Sequence, residues 1–138
     1  MPARDFYHDT VKKALKKDGW TITHDPYTIR LGKRKGYIDL GAEKLLGAEK
    51  GGVKIAVEVK SFLGLSDLDE FEDAVGQFMV YLFALEENDP ERKLFLAVPE
   101  TYYSSFFDDQ FFVRLTERLQ IPILIFEEEK EKILRWIK

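Results

Sequence analysis

Three ionisable residues have the types and spacing for phosphodiester chemistry. Side chains of an extended segment alternate between faces. In Val53–Lys60 this puts Val53, Ile55, Val57 and Val59 on one side, and Lys54, Ala56, Glu58 and Lys60 on the other. A buried strand has no structural need for an acid and a base two residues apart on one face. The bland alternative is a solvated edge whose ion pair contributes about 0–1 kcal/mol. The preceding segment, Tyr37–Gly41, reads as a strand with Ile38 and Leu40 on one side and Asp39 on the other. Paired as a meander, the two strands bring Asp39 beside Glu58. Adjacent carboxylates repel, and each is easier to protonate for it. A hard divalent cation removes that cost, and Mg²⁺ (or Mn²⁺) binds through one or two carboxylates, with water and phosphate oxygens completing its shell. The expected reaction is metal-assisted hydrolysis: Asp39 and Glu58 hold the ion, helped by the Val59 carbonyl, and the ion activates a water. Lys60 supplies a point charge near that water and the developing phosphorane oxygens.

The elements that must position these groups are readable from periodicity. Residues 3–17 predict a helix with Phe6, Tyr7, Val11, Ala14 and Leu15 on one face, stopped by Asp18-Gly19. Trp20–His24 and Tyr27–Leu31 read as short strands around an Asp25-Pro26 turn, with His24 a turn residue. Gly32–Gly36 reads as a flexible basic loop, and Ala42–Gly52 as a loop or one helical turn. Val53–Phe62 is a strong strand. Ser66 to about Glu87 is a long helix with Leu68, Phe71, Val75, Phe78, Leu82 and Leu85 on its apolar face. Ser66 and Asp69 match a capping box loosely. Glu70, Asp73, Gln77 and Tyr81 border that face. Gln77 could orient Lys60 or a water and is counted with the catalytic set, while Tyr81 could touch a phosphate or base. Lys93–Val98 and Ile121–Phe126 are apolar enough for buried strands. Asp109–Leu119 reads as a helix, Glu127–Lys130 as a turn, and Lys132–Ile137 as a strand or helix.

The 138 residues suffice for one domain, 1–138, with 45% apolar and 33% charged residues. Without cysteine there are no disulfides or thiolate metal sites. No apolar run nears the roughly 20 residues that span a bilayer, and Met1–Asp5 has no signal-peptide pattern, so a cytoplasmic location without membrane association is expected. Net charge is −4 but unevenly spread: residues 1–60 carry 13 Lys and Arg against 8 Asp and Glu, and residues 61–138 carry 8 against 17. A phosphate-facing surface therefore belongs to the first half. Lys33, Arg34 and Lys35 could grip a DNA backbone there, against the alternative of a solvated loop. Lys12, Lys13, Lys16 and Lys17 fit a solvated helix face. Phe106, Phe107, Phe111 and Phe112 fit a core or a partner surface better than a base-stacking role, and a homodimer is a separate expectation.

A first helix, Ile38-Asp39, Glu58-Val59-Lys60, and a helix bearing Gln77 and Tyr81 resemble, over roughly residues 3–98, the PD-(D/E)XK nuclease superfamily. The resemblance implies an α/β fold of restriction-endonuclease-like type, a three-layer α/β/α arrangement with a central mixed β-sheet and an αβββαβ core. Ile38 stands where the superfamily name has proline. The superfamily often places an acidic residue of the first helix toward the site, whereas here Asp5 and Asp9 fall opposite the apolar face and Arg4 and His8 flank it. His8 could contact the metal water or a phosphate. Over nearly its whole length, and most clearly at Lys16–Pro26, Ile38–Glu43 and Ala56–Phe62, the chain resembles the XisH family of fdxN-element excision controlling factors. That resemblance implies programmed DNA excision beside a site-specific recombinase, with an XisI-type protein partner. Three functions follow as expectations: a Mg²⁺-dependent DNA endonuclease, a catalytically inactive DNA- or protein-binding regulator on the same fold, or a dimeric scaffold (a homodimer) whose charged stripe is merely surface, against which the complete Asp39, Glu58 and Lys60 set speaks.

Overall fold

The computed structural model describes residues 5–44 and 52–138. Among these the chain forms four helices and eight strands: α1 (His8–Lys17), β1 (Thr21–His24), β2 (Tyr27–Leu31), β3 (Arg34–Ile38), β4 (Leu40–Lys44), β5 (Val53–Val59), α2 (Asp67–Asn88), β6 (Lys93–Pro99), α3 (Glu100–Phe106), α4 (Gln110–Leu119), β7 (Ile123–Glu127) and β8 (Lys132–Ile137). Six strands make one mixed sheet in the order β1-β4-β5-β6-β7-β8. Neighbours are antiparallel at both ends of the sheet and parallel across β5-β6-β7. β2 and β3 form a separate two-stranded hairpin, inserted between β1 and β4. Helix α2 makes the crossover between the parallel strands β5 and β6, as parallel pairing requires.

The alternation in β5 divides the core. Ile55, Val57 and Val59 pack with Val11 and Leu15 of α1, and Phe95, Leu124 and Phe126 join them. On the opposite face Ala56, Leu96, Val98 and Ile125 pack under α2 and α3, with Phe112 of α4 at the margin. β6 is apolar on both faces because both are covered.

Several boundaries differ from the sequence expectation. α1 starts at His8, so Phe6 lies outside the helix and is exposed, not part of its apolar face; positions 3 and 4, including Arg4, are outside the described residues. The basic run is not a flexible loop: only Gly32 and Lys33 form the turn, and Arg34 to Gly36 lie in β3. Ala42 to Lys44 continue β4, and the remainder of the expected 42–52 loop, residues 45–51, is outside the described residues. β5 ends at Val59 rather than Phe62. Helix α3 was not foreseen, because Pro99 read as a strand terminator and the run Thr101–Phe107 has no clear helical period; Pro99 is in fact the residue that caps α3. Phe106 and Phe107 are core, while Phe111 is exposed.

Tyr37–Gly41 is not one strand. The chain bends at Asp39, where it leaves the hairpin and enters the main sheet. The bend breaks the alternation, so Ile38 packs in the cluster beneath α2 and Leu40 in the cluster beneath α1.

Helix α2 carries Phe71, Ala74, Phe78, Tyr81 and Leu85 as a buried stripe, with Leu68 largely exposed at its start. Full burial of a side chain such as Phe78 contributes about 1.5–3 kcal/mol. The Ser66 hydroxyl accepts the Asp69 backbone N–H at 3.2 Å, satisfying one of the donors a helix start leaves open. The Glu70 carboxylate instead accepts the N–H of Gly64 at 3.0 Å, tying the helix start to the loop after β5. Ser66→Ala is expected to lower the unfolding free energy by about 1 kcal/mol, measured as a shifted midpoint with an unchanged slope in urea.

Candidate active site

Leu40 of β4 pairs with Val57 of β5, and one residue beyond that pair the ladder gives way to side chains. The Asp39 carboxylate accepts the Val59 N–H at 2.7 Å, while Glu58 accepts the Asp39 N–H at 3.3 Å. Each acid thus holds backbone belonging to the other's strand, and the two carboxyl groups are brought together. Glu58 is 3% exposed. Burial pushes its carboxyl up to about 9, with the Asp39 charge adding to the rise and Lys60 pulling against it. For Asp39, burial also pushes upward, but His8, the Glu58 carboxyl and the Val59 N–H outweigh it and hold the group below its ordinary value. Asp39 is the ionised member of the pair and Glu58 the protonated one at neutral pH.

His8 is 3% exposed and stands between two carboxylates. Its Nε2 lies 2.7 Å from Asp25 Oδ1, and its Nδ1 lies 3.6 Å from Asp39 Oδ1. Lys12 Nζ reaches the other Asp25 oxygen at 2.7 Å, so Lys12 is not simply a solvated residue of α1. Asp39 is the largest cause of a raised His8 pKa; burial opposes the rise and Asp25 reinforces it. The Nδ1 edge has no hydrogen-bond partner among the described residues, and an imidazolium N–H directed at Asp39 suits that position.

Asp5 is the site residue the sequence reading missed. On a helix starting at residue 3 it falls on the outer face. Because α1 starts later, Asp5 lies ahead of it and binds the end of β5. Its carboxylate accepts the Ser61 N–H and the Tyr7 N–H, each at 3.0 Å, and also the Ser61 hydroxyl. No periodicity signal could have found it; only the helix boundary decides where it points.

Asp5, His8, Asp25, Asp39, Glu58 and Lys60 line one cavity of about 380 Å³, closed on the α2 side by Gln77 and Tyr81. Gln77 Nε2 donates to the Tyr81 hydroxyl at 3.3 Å. Lys60 follows the end of β5, where its backbone N–H donates to the Ala97 carbonyl at 3.1 Å. The hairpin forms the remaining wall through Leu31 and Lys35–Ile38. Gly36 allows this approach: a Cβ there would stand 2.8 Å from Leu31 Cδ1 and 3.1 Å from the Tyr81 ring. Of the basic run, Lys35 lines the cavity, while Lys33 and Arg34 are exposed at the hairpin tip outside its lining. His24 lies outside the lining and packs edge-on against Tyr27.

Among the described residues, no cluster of three or more His, Cys, Asp or Glu side chains is arranged to hold a metal ion. Asp39 and Glu58, brought together where β4 meets β5, are the carboxylates that would serve as donors. Two carboxylate oxygen donors suit Mg²⁺, which keeps most of its water, and a protonated carboxyl buried against an ionised one is a group a cation would deprotonate. The residues fit the ion. No described helix is long and apolar enough to cross a membrane.

Two pH responses follow. Glu58 binds a proton in the folded chain well above the pH at which the unfolded chain releases it. Stability is therefore lost as pH rises from about 4.5 toward about 9. Glu58→Gln is expected to raise metal-free stability at pH 7 by roughly 2–3 kcal/mol, and the gain should vanish near pH 4 in paired thermal melts. The His8 ring should titrate above its ordinary 6.5, and Asp25→Asn should lower that midpoint, both read by NMR.

The XisH protein family matches residues 1–134. An XisH family protein from Nostoc punctiforme PCC 73102 has a crystal structure that superposes with a TM-score of 0.88 at 46% identity, covering 97% of this chain and 100% of that one. The crystal structure of an fdxN element excision controlling factor protein from Anabaena variabilis superposes with a TM-score of 0.87 at 45% identity, covering 98% and 100%. No curated protein matches. The family match over nearly the full length, with this likeness in sequence and backbone, makes the chain a member of the XisH family.

Proposed function

We propose that this protein is a Mg²⁺-dependent DNA endonuclease of PD-(D/E)XK type, built on a restriction-endonuclease-like three-layer α/β/α fold and acting in the excision of a DNA element. The observation that carries the reading is the buried Asp39–Glu58 pair opening, with Lys60, into one cavity. A buried carboxyl pushed up to about 9 weakens the apoprotein, and a cation site gives a reason for keeping it. The role in excision rests on the relative from Anabaena variabilis, which is called an fdxN element excision controlling factor.

In this reading Asp39 and Glu58 hold the ion. Bound there, Mg²⁺ supplies a Lewis acid for the scissile phosphate and a water of lowered pKa. To serve as a donor, Glu58 would release its proton to solvent. Lys60 presents its ammonium to the anionic phosphate at the cavity wall. The Gln77–Tyr81 pair orients polar atoms toward the same space, Gln77 toward Lys60 or a water and Tyr81 toward the nucleic acid. His8, braced by Asp25, keeps Asp39 ionised and turned inward. DNA is the substrate, and an XisI-type protein and a recombinase are the partners. A second reading, a regulator that no longer cleaves, is favoured by the words "controlling factor" in the relative's name.

Supercoiled DNA should be nicked in Mg²⁺ or Mn²⁺, with or without an XisI-type partner, and Glu58→Ala and Lys60→Ala should each lower the rate by about 10²-fold or more. Mg²⁺ should raise the parent's melting temperature, leave that of Glu58→Ala unmoved and still stabilise Lys60→Ala. A parent that neither nicks DNA nor gains stability from either metal would reject the nuclease reading in favour of the regulator.

A further inference from the structure

The β2–β3 hairpin stands outside the main sheet, and its two faces differ. Ile29, Gly36 and Ile38 are buried against α2. The hairpin is fixed there at several points: Tyr27 donates its hydroxyl proton to Asp89 at 2.9 Å, and Asn88 Nδ2 donates to the Arg30 carbonyl at 3.4 Å. The register sets Arg30 directly across from Lys35, and Thr28 across from Tyr37. Directly opposed residues share a face, so Thr28, Arg30, Lys35 and Tyr37 form the side turned away from α2. Lys33 lies in the turn at the tip, and Arg34, directly across from Leu31, is exposed on the other face.

This surface is costly if it serves only the fold. Like charges directly opposed across a ribbon destabilise it. Residues 26–38 contain Arg30, Lys33, Arg34 and Lys35 and no acidic residue. Among the described residues, no carboxylate forms an ion pair with any of the four. The chain as a whole is acidic, so the concentration of positive charge on one small, rigidly held ribbon is local. Lys35 and Tyr37 also line the Asp39–Glu58 cavity, which makes the ribbon face continuous with the site.

We propose that the outward face of the β2–β3 hairpin is a duplex-DNA-binding ribbon, on which the cross-strand pair Arg30 and Lys35 grips the phosphate backbone and holds it at the mouth of the Asp39–Glu58 cavity. This deepens the nuclease reading by naming the surface that delivers the substrate, and rests on it for the alignment with the cavity. Phosphate contacts of this kind are independent of base sequence and sensitive to salt. Arg30 thereby acquires a role that the basic run alone does not indicate.

The test is binding of a short random-sequence duplex in EDTA, where no metal-dependent cleavage occurs, titrated over several salt concentrations. Arg30→Ala/Lys35→Ala should bind about tenfold or more weakly at low salt, with the slope of log affinity against log salt reduced by about 0.9 for each lost phosphate contact. Both residues are exposed and their like charges oppose one another, so the melting temperature should hold or rise. Arg114→Ala/Arg118→Ala on α4 removes the same charge elsewhere and should bind like the parent. Equal affinity and slope for the hairpin variant and the parent would overturn the proposal. So would equal losses in the α4 variant, tighter binding of single-stranded than of duplex DNA, or a parent that binds no duplex at low salt. Because the assay contains no metal, loss of binding in the hairpin variant supports the ribbon even if the protein proves never to cleave.

Discussion

The structure turns on two carboxylates that share a buried space. Where β4 and β5 would exchange another rung of backbone hydrogen bonds, Asp39 and Glu58 each take hold of the other strand's backbone instead. That arrangement fixes the acids within reach of one another, with Glu58 buried and Asp39 half-buried, which favours a single charge between them. Much of the surrounding structure serves this spot. His8 and Asp25 keep the charge on Asp39, Lys60 follows one residue after the strand end, and α2 supplies Gln77 and Tyr81 as the far wall. The sheet gives rigidity because β5 is paired on both sides and covered on both faces.

The acids also explain why the site is where it is. An unbroken strand from Tyr37 to Gly41 would keep Ile38 and Leu40 on one side and leave Asp39 as an ordinary alternate residue. The bend lets Ile38 serve one core cluster and Leu40 the other, so Asp39 sits at the hinge between two packing environments. Asp5 plays a parallel part from the N-terminal side, holding the backbone at Ser61 just past Lys60. Both ends of the short Glu58–Ser61 segment are thus held by acids from distant parts of the chain.

Much of this was legible in the residues. Strict alternation in β5 separated Glu58 and Lys60 from the valines, and the length and period of α2 placed Gln77 and Tyr81 one turn apart. The two-sided apolar run of β6 marked a central strand. What was hidden depended on contacts far apart in sequence. The start of α1 decides the direction of Asp5, and the pairing of β1 with β4 decides that β2 and β3 are left to pair with each other. Gly32 to Gly36 read as a loop because glycine and lysine are poor strand formers; packing on α2 overrides that preference. α3 was hidden because its seven residues mix three aromatics with Glu, Thr and two Ser in no clear helical period, and a proline stands at its entrance.

The hairpin is attached to the rest of the chain at two points, the Asp25-Pro26 turn and Asp39, and both flanking acids belong to the site. An excursion that leaves and returns beside the same cavity can vary in its length, twist and outward side chains without altering the register of the six-stranded sheet. Within such a design the cavity and the arm beside it can change separately. A lineage could exchange one arm for another while Asp39 and Glu58 stayed in place, and divergence would gather on the outward residues Thr28, Arg30, Lys35 and Tyr37 instead of spreading through the core.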